Sequence, residues 1–435
     1  MSLEKLIKIS RRVFLKKAET MFAGVAAFGL SKDTIIENFF VNKTPQGDRA
    51  RIKSYRNLGN TGFKVSDISF GGSCINSSAL VSYAVDRGVN YIDTADSYGQ
   101  SEIFIGEALK EKRKDVFIAT KSNIWRFKKP DELKNGIKKS IENSLRNLRT
   151  DYLDCYQIWS ANVDRMKLDE AHEAFEKAKE EGKARFFGIT NHSADVGDVI
   201  KQSLNDDLFN NLTIGYHRLS GKEVSDYIKK AAEKGKSIVA MKVLLGAYIA
   251  RIPQWEKQQP FSENFDSLSI NEKLRAAIRF TYSDKKRNTD FVLSAHKWVL
   301  SNPDVNTIIT TFKNFEEVDN YLQASGQKFG WKDKEILDVY IASIWDKYCR
   351  IGCDLCHSSC PKGVPVNDIL RFQTYYENYG DKRMAVSGYS DLPKDKTGSN
   401  CFDCDAPCQK ACPYGLAVKE RIIKTHGTLS RMEVS

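Results

Sequence analysis

NYIDTADSYGQSE, residues 90–102, changes character partway along. From Asn90 to Ala95 it is a short apolar run of the kind that forms a buried strand. From Asp93 onward it supplies acids, a hydroxyl and a phenol in quick succession, at Asp93, Asp96, Ser97 and Tyr98. A strand that delivers such groups at its C-terminal end gains meaning from the strands beside it.

Further short runs rich in Val, Ile, Phe and Tyr recur in order at 67–72, 116–121, 153–159, 184–190, 212–216, 237–243 and 305–311. Between them lie charged segments with apolar residues at three- and four-residue spacing, which predicts helices. One of these, PDELKNGIKKSIENSLRNL at 130–148, places Pro130 in a first turn and Ile137, Ile141, Leu145 and Leu148 on one face. Eight strands alternating with helices over about 250 residues predict an α/β fold, the (β/α)8 TIM barrel. A doubly wound open sheet is the alternative, but no Gly-x-Gly-x-x-Gly stands at the first turn to support it. The connection at 244–290 is unusually long and is expected to serve as a lid or binding loop.

Chemistry in a TIM barrel sits at the C-terminal ends of the strands. Asp93 and Tyr98 follow the second strand, Lys121 ends the third and Trp159 the fourth. A phenol has an ordinary pKa of about 10. An adjacent ammonium, itself held by a carboxylate, is expected to lower that value and let Tyr98 protonate a carbonyl oxygen.

NYIDTADSYGQSE, FIATKSN, DYLDCYQIW, GKARFFGITNHS and WVLSNPDVNTIITTFKNFEEVDNYL resemble the successive signatures of the aldo-keto reductases, from about Tyr55 to Gln323. The resemblance implies that Asp93, Tyr98 and Lys121 are three of four catalytic residues, with Tyr98 as the acid and NADPH as the hydride donor. It implies nicotinamide contacts at Thr190, Asn191 and Tyr216, and further cofactor contacts at Lys242, Thr311, Lys313, Asn314, Asp319 and Asn320. Trp159 departs from the family pattern, which has His there; an indole N–H donates one hydrogen bond but carries no proton. Thr213 stands where a Gln usually grips the carboxamide, and Thr310-Thr311 replace the usual Pro-Gly. His192 and His217, just past the fifth and sixth strands, are expected in supporting or solvent-facing roles.

Of ten cysteines only Cys74 and Cys155 lie in the first 348 residues. The other eight fall in CRIGCDLCHSSCP (349–361) and CFDCDAPCQKACP (401–413). Each run is one residue longer than the bacterial ferredoxin run C-x2-C-x2-C-x3-C-P. By the ferredoxin pattern Cys349, Cys353, Cys356 and Cys412 hold one [4Fe-4S] cluster, and Cys360, Cys401, Cys404 and Cys408 the other. Zinc and disulfides are the competing readings. A small ferredoxin-like domain behind a helical extension is thus expected at 331–435, and a barrel with such a tail resembles an iron-sulfur branch of the aldo-keto reductases.

The formal charge of +11 does not mark a nucleic-acid binder, because residues 1–53 hold eleven Lys/Arg against five Asp/Glu and no basic patch with interleaved aromatics stands out elsewhere. SRRVFLKKAETMFAGVAAFGL at 10–30 has an apolar run too short to span a bilayer, and its basic half resembles the twin-arginine export signal. That signal implies a periplasmic or extracytoplasmic protein, loosely tethered to the membrane if the leader is not cleaved. The twin-arginine route carries cargo already loaded with cofactor, so export and clusters are compatible. The expected organisation is a signal and linker at 1–50, the barrel at 51–330 and the cysteine domain at 331–435. The expected activity is interconversion of a small-molecule carbonyl and alcohol with tightly bound NADP(H), exchanging electrons with a redox partner protein through the clusters. The alternative is a catalytically reduced barrel serving as an electron-transfer or scaffold subunit.

Overall fold

The computed structural model describes residues 49–124, 127, 129–247 and 285–432. The twin-arginine segment and most of the 244–290 connection lie outside the described residues. The chain divides into two units between Arg49 and Ala50, the second continuing to Ser435.

Two short strands, β1 (Tyr55–Asn57) and β2 (Lys64–Ser66), form an antiparallel hairpin. Eight parallel strands follow: β3 (Ile68–Gly71), β4 (Tyr91–Asp93), β5 (Phe117–Ser122), β6 (Leu153–Ile158), β7 (Ala184–Asn191), β8 (Phe209–Gly215), β9 (Ser237–Met241) and β10 (Thr307–Thr310). They close into a barrel in the order β10-β3-β4-β5-β6-β7-β8-β9. Each strand expected from the sequence is present, with its ends shifted by up to three residues. Strands buried on both faces read as continuous apolar runs, which is why the sequence marks them well. Helices cover the outside; in Pro130–Leu148, residues Ile137, Ile141 and Leu148 are buried, as the spacing predicts.

The hairpin seals one end of the barrel. Leu58 and Val65 join Tyr91, Phe117, Ala119, Cys155 and Val239 in a single buried cluster. The C-terminal ends of the strands form the mouth at the other end of the barrel.

The tail after β10 is built of helices and turns, with no strand among its described residues: Trp331–Ile344, Val366–Thr374, a π-helical turn Tyr375–Tyr379, Lys382–Ser390, Pro407–Ala411 and Val418–Leu429. Trp331–Ile344 packs on the helix Lys285–Leu300 through Leu337, Tyr340 and Phe291. The remaining helices share a separate core of Ile369, Leu370, Val386, Leu416 and Ile422, which Cys401 and Cys408 enter. Among the described residues no helix is long and apolar enough to cross a membrane.

Candidate active site

Parallel register sets Asp93 opposite Ala119, and Lys121 opposite Gln157. With alternate side chains on opposite faces, this brings Asp93, Lys121 and Gln157 together inside the mouth. The Lys121 ammonium donates to Asp93 Oδ1 at 2.5 Å and to the Thr94 carbonyl at 2.8 Å. Gln157 Nε2 donates to Asp93 Oδ2 at 3.1 Å, and Gln157 Oε1 accepts from Thr213 Oγ1 at 2.7 Å and Asn211 Nδ2 at 3.1 Å. A buried polar chain thus runs from β5 through β4 and β6 to β8. Thr213 completes this chain from within, and Gln157 is a member that the sequence reading missed. Burial lowers the Lys121 pKa, with Lys242 acting in the same direction, although Asp93 opposes both.

Tyr98 lies beside this chain. The Lys121 Nζ is 4.9 Å from the centre of its ring, and the Trp159 indole meets it edge-on at 5.6 Å. Asp93, Tyr98, Lys121 and Trp159 are therefore in one place. The ring of Tyr98 keeps some solvent contact, yet protein surrounds it on most sides. Its pKa is raised well above the ordinary value by burial first, then by Asp93, Asp381 and Tyr375, with Arg383 opposing. The expected lowering is thus corrected. Lys121 is directed at Asp93 and sits over the ring of Tyr98, so its charge does not outweigh the loss of water around the phenol. With its pKa raised in this way, the Tyr98 phenol is protonated at neutral pH.

The residues expected to hold a nicotinamide are engaged within the protein. Asn191, 1% exposed, donates to the Ala161 carbonyl at 2.6 Å and to Asp195 Oδ1 at 3.0 Å, and accepts from the Ser193 N–H at 2.8 Å. Thr190 Oγ1 accepts from the Ser160 N–H at 2.9 Å. The Tyr216 ring packs on Trp298 at 5.4 Å and its hydroxyl meets Ser225 and Asn302, leaving it 4% exposed. Lys242 lies over the rings of Tyr375 and Tyr379 at 4.5 and 4.9 Å. Thr190, Asn191 and Tyr216, the three expected at the nicotinamide, and Lys242, expected elsewhere on the cofactor, are thus all held by contacts within the protein. Thr311, Lys313 and Asn320 remain on the rim after β10, with Lys313 exposed. Asn314 instead caps the helix Phe315–Tyr321, and Asp319 binds Arg87 and Tyr83.

The tail supplies one wall of the mouth. Arg371 donates to His192 Nδ1 at 2.8 Å, and the Tyr375 hydroxyl lies 3.1–3.2 Å from both nitrogens of the same ring. Burial, aided by Arg371 and Lys242, holds the His192 pKa well below its ordinary value, so His192 is a neutral acceptor at neutral pH. Asn378 donates to the Gly246 carbonyl at 2.8 Å. His217 is buried elsewhere, against the Tyr348 hydroxyl at 2.8 Å.

None of the eight tail cysteines is joined in a disulfide. Cys360, Cys401, Cys404 and Cys408 line one small cavity that is partly open to solvent. Burial pushes the Cys349 thiol up to about 12, and nearby Cys353, Cys356 and Cys412 add to the effect. Burial likewise raises Cys401 to about 11, helped by Cys408, Cys360 and Cys404. Cys356 stands near Cys408 as well as near Cys412 and Cys353. Amides point at the sulfurs: the Val364 N–H reaches Cys360 Sγ at 3.3 Å and Asn367 Nδ2 reaches Cys349 Sγ at 3.4 Å. Among the described residues, no three His, Cys, Asp or Glu converge on a point that would hold a single metal ion. A cubane asks for a wider set, because each thiolate bonds a different iron.

Residues 76–340 match the model of the aldo/keto reductase family. The chain is 26% identical over 286 residues to the uncharacterized oxidoreductase YqkF of Bacillus subtilis, covering 63% of this chain and 91% of that one. It is 27% identical over 291 residues to L-galactose dehydrogenase of Arabidopsis thaliana, covering 62% and 87%. In structure it resembles the holo form of aldo-keto reductase AKR11C1 from Bacillus halodurans, with a TM-score of 0.51 at 26% identity over 66% of this chain and 96% of the other. The family match stops short of the first cysteine run.

Proposed function

The chain belongs to the aldo/keto reductase family, and from that premise we propose that it interconverts a small-molecule carbonyl and alcohol, exchanging electrons with a redox partner protein through two [4Fe-4S] clusters. The observation that carries the reading is the convergence of Tyr98, Lys121, Asp93 and Trp159 at the mouth. Tyr98 holds the proton for the carbonyl oxygen, and in the reverse direction its phenolate oxygen, once that proton has been released to solvent, receives the alcohol's proton. The Lys121–Asp93 pair fixes the charge beneath the ring, and the Trp159 edge limits how the ring can turn.

Cys349, Cys353, Cys356 and Cys412 would hold one cluster, and Cys360, Cys401, Cys404 and Cys408 the other. The shared cavity of the second quartet and the amide-to-sulfur contacts support this assignment. The tail is ferredoxin-like in its pattern of ligands, built on helices. Such clusters supply one-electron transfer when bound. Export by the twin-arginine route to an extracytoplasmic site, with an uncleaved leader as a loose membrane tether, is the corresponding reading of Ser10–Lys16.

Aldo/keto reductases typically bind NADP(H), and tight retention of it remains part of the proposal. To receive it here, Asn191 and Tyr216 would have to release the contacts they now make. That engaged state favours a second reading, in which the barrel serves as an electron-transfer or scaffold subunit. Anaerobically purified protein, assayed for nicotinamide content and against a panel of carbonyls and alcohols beside a Tyr98→Phe control, separates the two. Turnover that depends on Tyr98 supports the enzyme; no turnover and no nicotinamide supports the subunit.

A further inference from the structure

The two cysteine quartets stand in different relations to the barrel. Cys349 and Cys353 bracket Ile351, whose side chain belongs to the barrel's own core and is 8% exposed. A Cβ added to Gly215, the last residue of β8, would lie 2.9 and 3.0 Å from Ile351 Cγ2 and Cδ1, and 2.9 Å from His192 Cβ. The absence of a side chain at Gly215 is what lets Ile351 seat there. Next to it, the Gly352 N–H donates to the Ser193 carbonyl at 3.1 Å. Gly352 has φ +75°, and a Cβ there would stand 3.1 Å from Val196 Cγ1, so glycine meets both the backbone and the space requirement. The first cysteine loop is therefore clamped onto the ends of β7 and β8, beside the wall formed by His192, Arg371 and Tyr375.

Consecutive Cα atoms are about 3.8 Å apart, so the Cα atoms of Cys349 and Cys353 lie within about 7.6 Å of that of Ile351. The other quartet differs. The cavity lined by Cys360, Cys401, Cys404 and Cys408 draws the rest of its lining, including Lys362, Asn400, Lys419 and Ile422, from the tail alone.

Resting on the two-cluster reading above, we propose that the cluster held by Cys349, Cys353, Cys356 and Cys412 is the inner one, built into the wall of the active site and coupled to it through Ile351. The cluster held by Cys360, Cys401, Cys404 and Cys408 is the outer one, set in the tail for the redox partner. The packing of the mouth then tunes the inner cluster's reduction potential, because burial and hydrogen bonding around a cluster set that potential, and leaves the outer cluster's unchanged.

The test is an anaerobic redox titration of the full holo chain followed by electron paramagnetic resonance. Cys353→Ser and Cys404→Ser identify which signal belongs to which quartet. Two substitutions then perturb the contact from opposite sides: Gly215→Ala crowds Ile351, and Ile351→Ala removes its side chain. The expected result is a change of about threefold or more in the oxidised-to-reduced ratio at fixed potential, confined to the signal lost in Cys353→Ser, in at least one of the two variants. A shift confined to the Cys404-dependent signal, equal shifts in both signals, or no shift in either variant overturns the proposal. About four irons or fewer per chain in the unmutated protein would instead remove the two-cluster reading on which it rests.

Discussion

Replacing Asp93 by Asn tests the electrostatic foundation of the mouth. Lys121 is 4% exposed and has two partners for its ammonium, Asp93 Oδ1 and the Thr94 carbonyl. Asp93→Asn keeps the shape and the Gln157 contact while removing the countercharge. Taking one partner from a buried ion pair costs about 3–5 kcal/mol. Over the roughly 390 residues of Ala50–Ser435, an unfolding entropy of about 2.1 cal/mol/K per residue gives about 0.8 kcal/mol per degree, so the loss corresponds to about 4–6 °C in Tm. The pH dependence has a definite sign. Burial already holds the Lys121 pKa below its ordinary value, and without Asp93 it falls further from the unfolded value of about 10.4. Between the folded and unfolded values the unfolded chain carries a proton that the folded variant lacks, so stability rises with pH across that window. Thermal scans of both proteins from pH 7 to pH 10 should show the gap narrowing as pH rises. An equal gap at both ends, or no loss at pH 7, would refute the assignment of Asp93 as the countercharge of a buried ammonium.

Tyr98→Phe should lower carbonyl turnover by about 10²–10⁴-fold, the usual contribution of a positioned acid, while metal content and thermal midpoint stay as in the parent. Because the Tyr98 pKa is raised, reduction should show no loss attributable to tyrosinate formation up to pH 10, and a fall below that pH traced to Tyr98 by comparison with the Phe variant would contradict the neutral phenol. Trp159→His restores the family residue against the ring of Tyr98 and should change turnover by about tenfold or more, equivalent to about 1.4 kcal/mol of barrier; a change below about twofold would place Trp159 outside the reacting centre.

The barrel was legible because its strands are local. DYLDCYQIW and GKARFFGITNHS each carry their apolar run within a few residues, and burial on both faces leaves a continuous signal. The hairpin of β1 and β2 was not legible: each strand has three residues, several of them exposed, and its role depends on Leu58 and Val65 meeting β4, β5, β6 and β9. Of the mouth, Asp93, Tyr98, Lys121 and Trp159 could be read because each sits at or just past a strand end. Gln157 carried the same signal, two residues before Trp159 and therefore on the same face of β6. Arg371 and Tyr375 carried none, since they reach His192 across 179 and 183 residues of chain. The direction of the Tyr98 shift was misjudged for a related reason: residue types show which charges are near, but not that Lys121 is turned toward Asp93, nor how much water the tail excludes.

The central claim is that a barrel of this family carries two iron-sulfur clusters on its last ninety residues. Iron and acid-labile sulfide, measured on protein purified without exposure to oxygen, test it most directly. The account predicts about eight of each per chain with visible absorbance, and protein that instead holds stoichiometric zinc or disulfides at these cysteines, colourless and without sulfide, would contradict it.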